Sequence, residues 1–543
     1  MKKYILFVSA FIILLAVSCT KNDVDGTEIY PDADPALVEF LPDRPIPNIA
    51  SEGEIVRIAV EGLNSKTFTA YMSSIEAEVV EVSNSYITIK IPQSAITGSV
   101  SVMVDGQLYF GPTIRVRGDV SIDPNFDAAN YSATNGYING IVARDATTYI
   151  LYGNFQGYQG RQTEAAPING IVIINNNGDY ASTTTIDNFS RFLPRYSNIT
   201  DMFKKTGGGY IISGGFSIYG DKDAEDGEKP VNGIVSVNAT GYLDTIEVDV
   251  VNPDPVNNPD AGTEIVSALN GGVSGSARRV FETTSNQYIV TGNFSHHVST
   301  FYPMSQKGAP FIDRVEAPSI FKMNTDGVFD SSYNYDYALE KGSGVNGFVL
   351  DAVKLPNNDV IMVGNFTGFQ GQTVGRIVKV DAANGKVSSS FNAGTGADGE
   401  ILRITRNPNV ANRYVISGTF RHYNGVLANG VAVIDGTGNL ITTFAAAEFA
   451  GGVVNYAGML SNGNVIVSGT FTHYNGKPRP GLAILSSSGQ LINNYNKFGL
   501  FSGQINDMAE TTSNGLPAVI LVGNFNRFDN TVVGNIVKLI FTN

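Results

Sequence analysis

Short β-branched runs punctuated by glycine turns recur along most of this chain, and their order repeats. Runs such as Tyr149-Ile150-Leu151, Val465-Ile466-Val467 and Val519-Ile520-Leu521 each lead into a Gly-x-Phe triplet. The triplets are Gly153-Asn154-Phe155, Gly214-Gly215-Phe216, Gly292-Asn293-Phe294, Gly364-Asn365-Phe366, Gly418-Thr419-Phe420, Gly469-Thr470-Phe471 and Gly523-Asn524-Phe525. After each comes a turn and a second apolar run, as in Ile171-Val172-Ile173 or Leu482-Ala483-Ile484. Six of the seven second runs then reach a Gly-containing turn, such as Asp326-Gly327 or Asn384-Gly385. This punctuation signals antiparallel strands joined by tight turns. A third run precedes each triplet, as Ile401-Leu402-Arg403-Ile404 precedes Tyr414-Val415-Ile416, and a fourth follows the glycine turn, as in Val387–Asn392.

Four strands in each of seven units predict a seven-bladed β-propeller over residues 119–543. The seventh unit stops at Asn543, after its third strand. Val120–Phe126 has the look of the missing outer strand, and the expectation is that it pairs with Ile536–Phe541 and covers the open edge. Upstream, residues 35–118 form a separate unit without the triplet. Val56–Leu63 alternates apolar and polar positions, and Ala77–Val82, Tyr86–Ile91, Gly98–Val104 and Thr113–Val116 continue the strand-and-turn pattern. The fold class is therefore all-β.

Composition narrows the partners. With 43% apolar and 16% charged residues the chain is globular rather than disordered. The formal charge of −14, or −16 once Lys2 and Lys3 leave with a signal peptide, argues against nucleic acid, because phosphate binding needs a basic face. Residues 1–18 read as an export signal: Lys2-Lys3, the apolar Tyr4–Leu15, then small residues. The apolar run is shorter than the ~20 residues of a membrane span.

Three resemblances to known families sharpen this picture. Ala16-Val17-Ser18-Cys19, holding the only cysteine of the chain, resembles a bacterial lipobox, which implies cleavage before Cys19 and acylation of it. Residues 19–34 would then be a lipidated tether, and Lys21-Asn22-Asp23-Val24-Asp25 resembles the acidic export tether of Bacteroidetes surface lipoproteins. The strand spacing of residues 35–118, with Ile87-Thr88-Ile89-Lys90-Ile91-Pro92 ending one strand, resembles an immunoglobulin-like IPT/TIG sandwich acting as a spacer. The repeats, best seen in Ser417-Gly418-Thr419-Phe420-Arg421-His422-Tyr423-Asn424-Gly425, resemble the delta-60 type propeller repeats of bacterial surface proteins, a family that implies fold and location but no activity.

The units are not equal, and the inequality points to a binding sector. From the motif phenylalanine to the next strand there are 11 residues in units four to seven, but 16, 18 and 26 in units one to three. Asp249–Ala277, between units two and three, is lengthened as well. All this added chain falls on the end of the propeller that carries the blade-to-blade connections, and long loops on a rigid scaffold are where binding resides. Tyr158, Tyr219, His296, Phe301 and Tyr302 are the candidate contacts there. Asp221, Asp223, Glu225 and Asp226 suggest a Ca2+ loop, although Gly227 comes one position late for the EF-hand pattern. His296-His297 lacks a third ligand and reads as a solvated pair, while His422 and His473 occupy equivalent turns and belong to the repeat. Inner runs offer Asp145, Asp351, Glu400, Arg403 and Asp507, but no catalytic constellation or cofactor motif is visible.

The expected function is a non-catalytic binding or accessory module, lipid-anchored at the outer-membrane surface, beside a SusC/SusD-type importer of glycan or peptide. A glycan-active propeller enzyme and a surface adhesin or scaffold are the alternatives.

Overall fold

The computed structural model describes residues 38–542 apart from 131–133, 162–167, 182–187, 221–226, 251–255, 257–261 and 307–308. The expected signal peptide, Cys19, the expected tether and the acidic 221–226 segment lie outside the described residues. Residues 39–116 join eight strands in the order Glu39–Phe40, Ile55–Glu61, Tyr86–Lys90, Ile75–Val82, Phe68–Met72, Gly98–Val104, Gln107–Val116 and Ile49–Ala50. Ile55–Glu61 shows why: Val56, Ile58 and Val60 alternate inward and are buried, with Arg57 and Glu61 between and after them facing out. These side chains, with Ile87, Ile89, Val100, Val102 and Ile114, make a core of their own.

From Tyr137 onward, the described residues repeat one three-stranded antiparallel meander. The first strands are Tyr137–Ala143, Asn198–Lys204, Gly272–Glu282, Val349–Lys354, Ile401–Thr405, Val454–Met459 and Ser502–Ser513, which head sheets one to seven in chain order. Each first strand packs against the next, and Ser502–Ser513 packs back against Tyr137–Ala143, so the row closes on itself. The expected fourth strand is much reduced. In sheets one to six the run after the glycine turn makes a single bridge, such as Ile174 to Tyr180 or Val380 to Val387, before the chain leaves for the next sheet.

The Gly-x-Phe triplet has a definite cause. In every sheet the first strand carries a β-bulge opposite the triplet glycine, so that Ile138 pairs with Gly153 and Gly140 with Tyr152, leaving Asn139 over. The same register shift recurs in the other six. The bulge drives a first-strand carbonyl into the glycine: a Cβ at Gly469 would meet Val453 O at 2.0 Å, and one at Gly153 would meet Tyr137 O at 2.3 Å. Only glycine fits. The phenylalanine two residues on is buried in all seven triplets, each burial contributing roughly 1.5–3 kcal/mol.

The ring closes as the sequence foretells. Val120–Ile122 pairs antiparallel with Ile536–Phe541, Ile122 opposite Leu539 and Val120 opposite Phe541. Asp123 N donates to Lys538 O at 2.8 Å. Beneath this clasp the Lys538 ammonium, almost wholly buried, lies 3.4 Å from the equally buried Asp123 Oδ2 and donates to Asn176 O of sheet one at 3.1 Å. One lysine thus holds the clasp, the last sheet and the first sheet together. The N-terminal unit is fixed to the ring as well. Thr97 N donates to Lys497 O at 2.8 Å, the Lys497 ammonium pairs with Glu52, and Arg479 Nη1 donates to Ser94 O at 3.2 Å.

Gly469→Ala is expected to cost 3 kcal/mol or more in urea unfolding, about the upper end for overpacking. Gly476→Ala, at φ +70° but with open space around it, should cost only about 1 kcal/mol. Equal losses would mean that backbone conformation rather than the bulge demands the motif glycine. Asp123→Ala, which strands the Lys538 charge in the interior, should cost about 3–5 kcal/mol in the same measurement.

Candidate functional site

The bulge decides what faces the axis of the ring. The residue after it is Gly140, Asp201, Arg279, Asp351, Arg403, Tyr456 and Asp507 in sheets one to seven. Four of the bulge residues, in sheets one, two, three and seven, stitch neighbouring sheets. Asn139 Nδ2 donates to Ile199 O at 2.8 Å, Thr200 Oγ1 to Ala277 O at 2.7 Å, Arg278 Nε to Leu350 O at 2.8 Å, and Asn506 Nδ2 to Ile138 O at 2.8 Å. The axial carboxylates stitch in the opposite sense, taking backbone N–H groups of the following sheet: Asp201 from Val280 at 2.9 Å, Asp351 from Ile404 at 3.3 Å and Asp507 from Ile141 at 3.1 Å.

Arg279 bridges two of these carboxylates, Nε to Asp351 Oδ1 at 2.8 Å and Nη1 to Asp201 Oδ1 at 3.2 Å. The two respond differently. Burial pushes both up, but Arg279 and Arg403 together pull Asp351 below the ordinary carboxylate range, whereas burial prevails at Asp201 and leaves it raised. Arg279, between them, is held firmly protonated despite its burial. Asp507 is different again. Among the described residues it makes no ion pair, and burial pushes its carboxyl up to about 6, with Arg279 and Arg403 opposing only at a distance. Beside it Gly140 leaves the axis free for the Tyr152 hydroxyl, since a Cβ there would lie 2.2 Å from that oxygen.

Below this ring lies a cavity of about 840 Å³, within the usual size range of ligand sites. Asp201, Arg279, Tyr456 and Asp507 form its floor. Its wall and mouth come from the far halves of the first strands of sheets two to seven and the turns beyond them: Lys204, Glu282, Lys354, Arg406 and Glu510 carry the charges, and Phe203, Phe281, Met459 and Met508 the apolar surface. Glu282 Oε2 accepts Thr206 N at 2.7 Å, and Arg406 Nη1 donates to Lys354 O at 3.3 Å, so the mouth is braced from sheet to sheet.

This mouth is at the end opposite the lengthened loops. Among the described residues those loops form hairpins in one sector: Ile218–Gly220 with Glu228–Pro230, Thr245–Val250 with Gly262–Ser267, and Gln287–Thr300, which runs on past its triplet to pair with Ile312–Glu316. The second hairpin touches the first and the turn Tyr302–Met304. Phe301 and Phe311, about 45% exposed, meet edge to face with centroids 6.3 Å apart. Tyr302 is half-buried near Glu264, which helps to push its hydroxyl up to about 12 after burial has done most of the work.

Tyr158 and Tyr219, expected as contacts, are wholly buried and donate to Gly178 O and Gly241 O at 2.6 Å, so neither ring reaches a surface. The histidines split as strand alternation requires. His296 is partly exposed beside Ser295. His297 is buried among Phe321 and Phe329, where desolvation pushes it down to about 4 and keeps it neutral, so the pair is not solvated. Asp145 stands not on the axis but in a hairpin turn, bonded to Thr147 and Thr148, and Glu400 is exposed. Among the described residues no group of three His, Cys, Asp or Glu side chains is placed to hold a metal.

Sequence reasoning found Asp351, Arg403 and Asp507 but missed Asp201, Arg279 and Tyr456. A signal was present. In sheets one, two, three, four and six the axial residue lies thirteen positions before the triplet glycine, as Asp201 does before Gly214. The longer hairpins of sheets five and seven break that count.

Residues 460–491 match the model of a β-propeller domain of unknown function, DUF5122. No curated protein matches. Among solved structures, the WD40 β-propeller domain of Doa1 is similar at 11% identity, covering 75% of this chain and 93% of that one, with a TM-score of 0.36. An auxiliary nutrient binding protein from Bacteroides thetaiotaomicron is similar at 9% identity over 92% and 96%, TM-score 0.31.

Because the Asp507 carboxyl is raised, the folded state holds its proton more tightly than the unfolded chain. Its contribution to stability is full below about pH 4 and is lost as pH rises through about 6. Asp507→Asn should therefore gain in melting temperature relative to the parent between pH 4.5 and pH 7. A pH-independent difference would show that Asp507 titrates normally.

Proposed function

We propose that this chain is a seven-bladed propeller carried on an immunoglobulin-like spacer, and that it is a non-catalytic binding module whose ligand enters the axial cavity. The observation that carries this reading is the engagement of the axial carboxylates. Asp201 and Asp351 share Arg279, and all three aspartates accept a backbone N–H from the next sheet. Asp201 and Asp351, tied to Arg279 and to the frame, hold charge in place, whereas acid–base chemistry needs a carboxyl that cycles its proton against a free partner. The cavity therefore offers fixed polarity for recognition. The lipobox-like segment supports anchoring through a lipid on Cys19 in the outer membrane, with the propeller at the cell surface beside a SusC/SusD-type importer. The exposed Phe301 and Phe311 sector, facing away from the cavity mouth, supports a role in contacting that partner.

The test uses the full chain in detergent, a panel of short peptides and oligosaccharides, and thermal unfolding. A ligand of the cavity should raise the melting temperature, and Arg406→Glu at the exposed mouth should diminish that rise when each protein is compared with its own ligand-free melting. Product formation from any panel member would replace the binding reading with an enzymatic one. In cells, Cys19→Ala should leave the membrane fraction, and the parent should capture an importer from solubilised outer membrane. Capture of a matrix or host component instead would favour an adhesin.

A further inference from the structure

The order of charges around the axis is uneven, and the uneven place is chemically specific. From sheet two to sheet five the ring alternates Asp201, Arg279, Asp351, Arg403, each carboxylate having a guanidinium next to it. At sheet seven the alternation fails. Asp507 stands between Tyr456 on one side and, on the other, Gly140 with the Tyr152 hydroxyl in its place. Its two oxygens each accept one backbone N–H, from Met508 at 2.9 Å and Ile141 at 3.1 Å, which leaves one further acceptor position on each oxygen. The carboxylate lines the cavity floor, so that spare capacity faces the ligand space.

Resting on the binding reading above, we propose that the axial cavity takes a ligand bearing a primary ammonium group, in the first place the amino terminus of a peptide, and seats that group against Asp507. Three features of the cavity agree with this class. An ammonium supplies both the missing positive charge and the missing donors, which a sugar hydroxyl cannot do together. The neighbouring phenol of Tyr456 and the thioethers of Met459 and Met508 form a partly apolar surround of the kind that favours organic over hydrated cations. Nearer the mouth, Lys204, Lys354 and Arg406 supply donors and positive charge suited to the carbonyls and carboxylate that follow an amino terminus, with Glu282 and Glu510 between them. The lining charges balance in sign, which disfavours a polyanionic ligand.

The experiment is calorimetric titration of the full chain in detergent with tetra-alanine, with N-acetyl-tetra-alanine, and with a panel of neutral oligosaccharides. Free tetra-alanine should bind at least about tenfold more tightly than the acetylated form, and Asp507→Asn should bring the ratio close to one. Equal affinity of the two peptides for the unaltered protein overturns the proposal, whether or not the variant folds. Oligosaccharide binding without peptide binding also overturns it, yet leaves the binding-module reading intact. Binding by none of these probes would bring down both.

Discussion

The pairing of a β-bulge with a glycine is the contact on which the rest of this molecule depends. The bulge inserts one residue into each first strand, and the carbonyl it displaces occupies the space where a side chain on the second strand would stand. That one local event does three things. It imposes glycine on the triplet, and in sheets one, two, three and seven it presents a bulge side chain to a carbonyl of the next sheet. It also turns the following residue toward the axis, where the polar ring forms. Where the bulge residue is Asn139, Thr200, Arg278 or Asn506, these bonds tie a sheet to its neighbour, and the ring acquires a polar centre.

Closure is a separate problem with its own solution. A row of sheets has two ends, and each end presents an unpaired edge or face. Here the chain spends a segment from near its start on the outer edge of its last sheet. A buried Lys538–Asp123 contact then specifies the register, while Lys538 also reaches sheet one. A buried charge pair contributes less to net stability than its Coulomb attraction alone would imply, but a mispaired one is costly, which makes it a good device for choosing a single closure. The contacts of Lys497 and Arg479 with the N-terminal unit extend the same logic to the junction, placing that unit on sheets six and seven.

The two ends of the ring have diverged in character. One has grown hairpins that expose aromatic and aliphatic side chains, among them Phe301, Phe311 and Ile246, in one sector. The other surrounds a charged funnel that ends on the axial ring. A binding module with a partner on one side and a ligand on the other would divide its surfaces in this way. Asp507, the one axial carboxylate without a cation beside it, is the most unusual group in the funnel.

Periodicity in the chain was sufficient for the all-β class, for the positions of the first three strands of each unit, and for the clasp of Val120–Ile122 on Ile536–Phe541. These are local patterns of apolar residues and glycine turns, and a missing strand at one end with a spare one at the other is a matter of counting. The fourth strand is reduced to a single bridge in sheets one to six, whereas on sheet seven Val120–Ile122 forms a paired strand, a difference the repeating pattern does not express. Tyr158 and Tyr219 looked like loop aromatics because they follow the triplet, yet the turn folds back and buries them over Gly178 and Gly241. Likewise, His297 and its neighbour are distinguished only by which face of an extended strand meets Phe321. The axial site belongs wholly to the tertiary structure. Asp201, Arg279, Asp351 and Asp507 come from four separate sheets, far apart in the chain. They meet only because every bulge turns its residue inward, and the charge each side chain carries is then set by burial and by neighbours that the linear order does not place beside it.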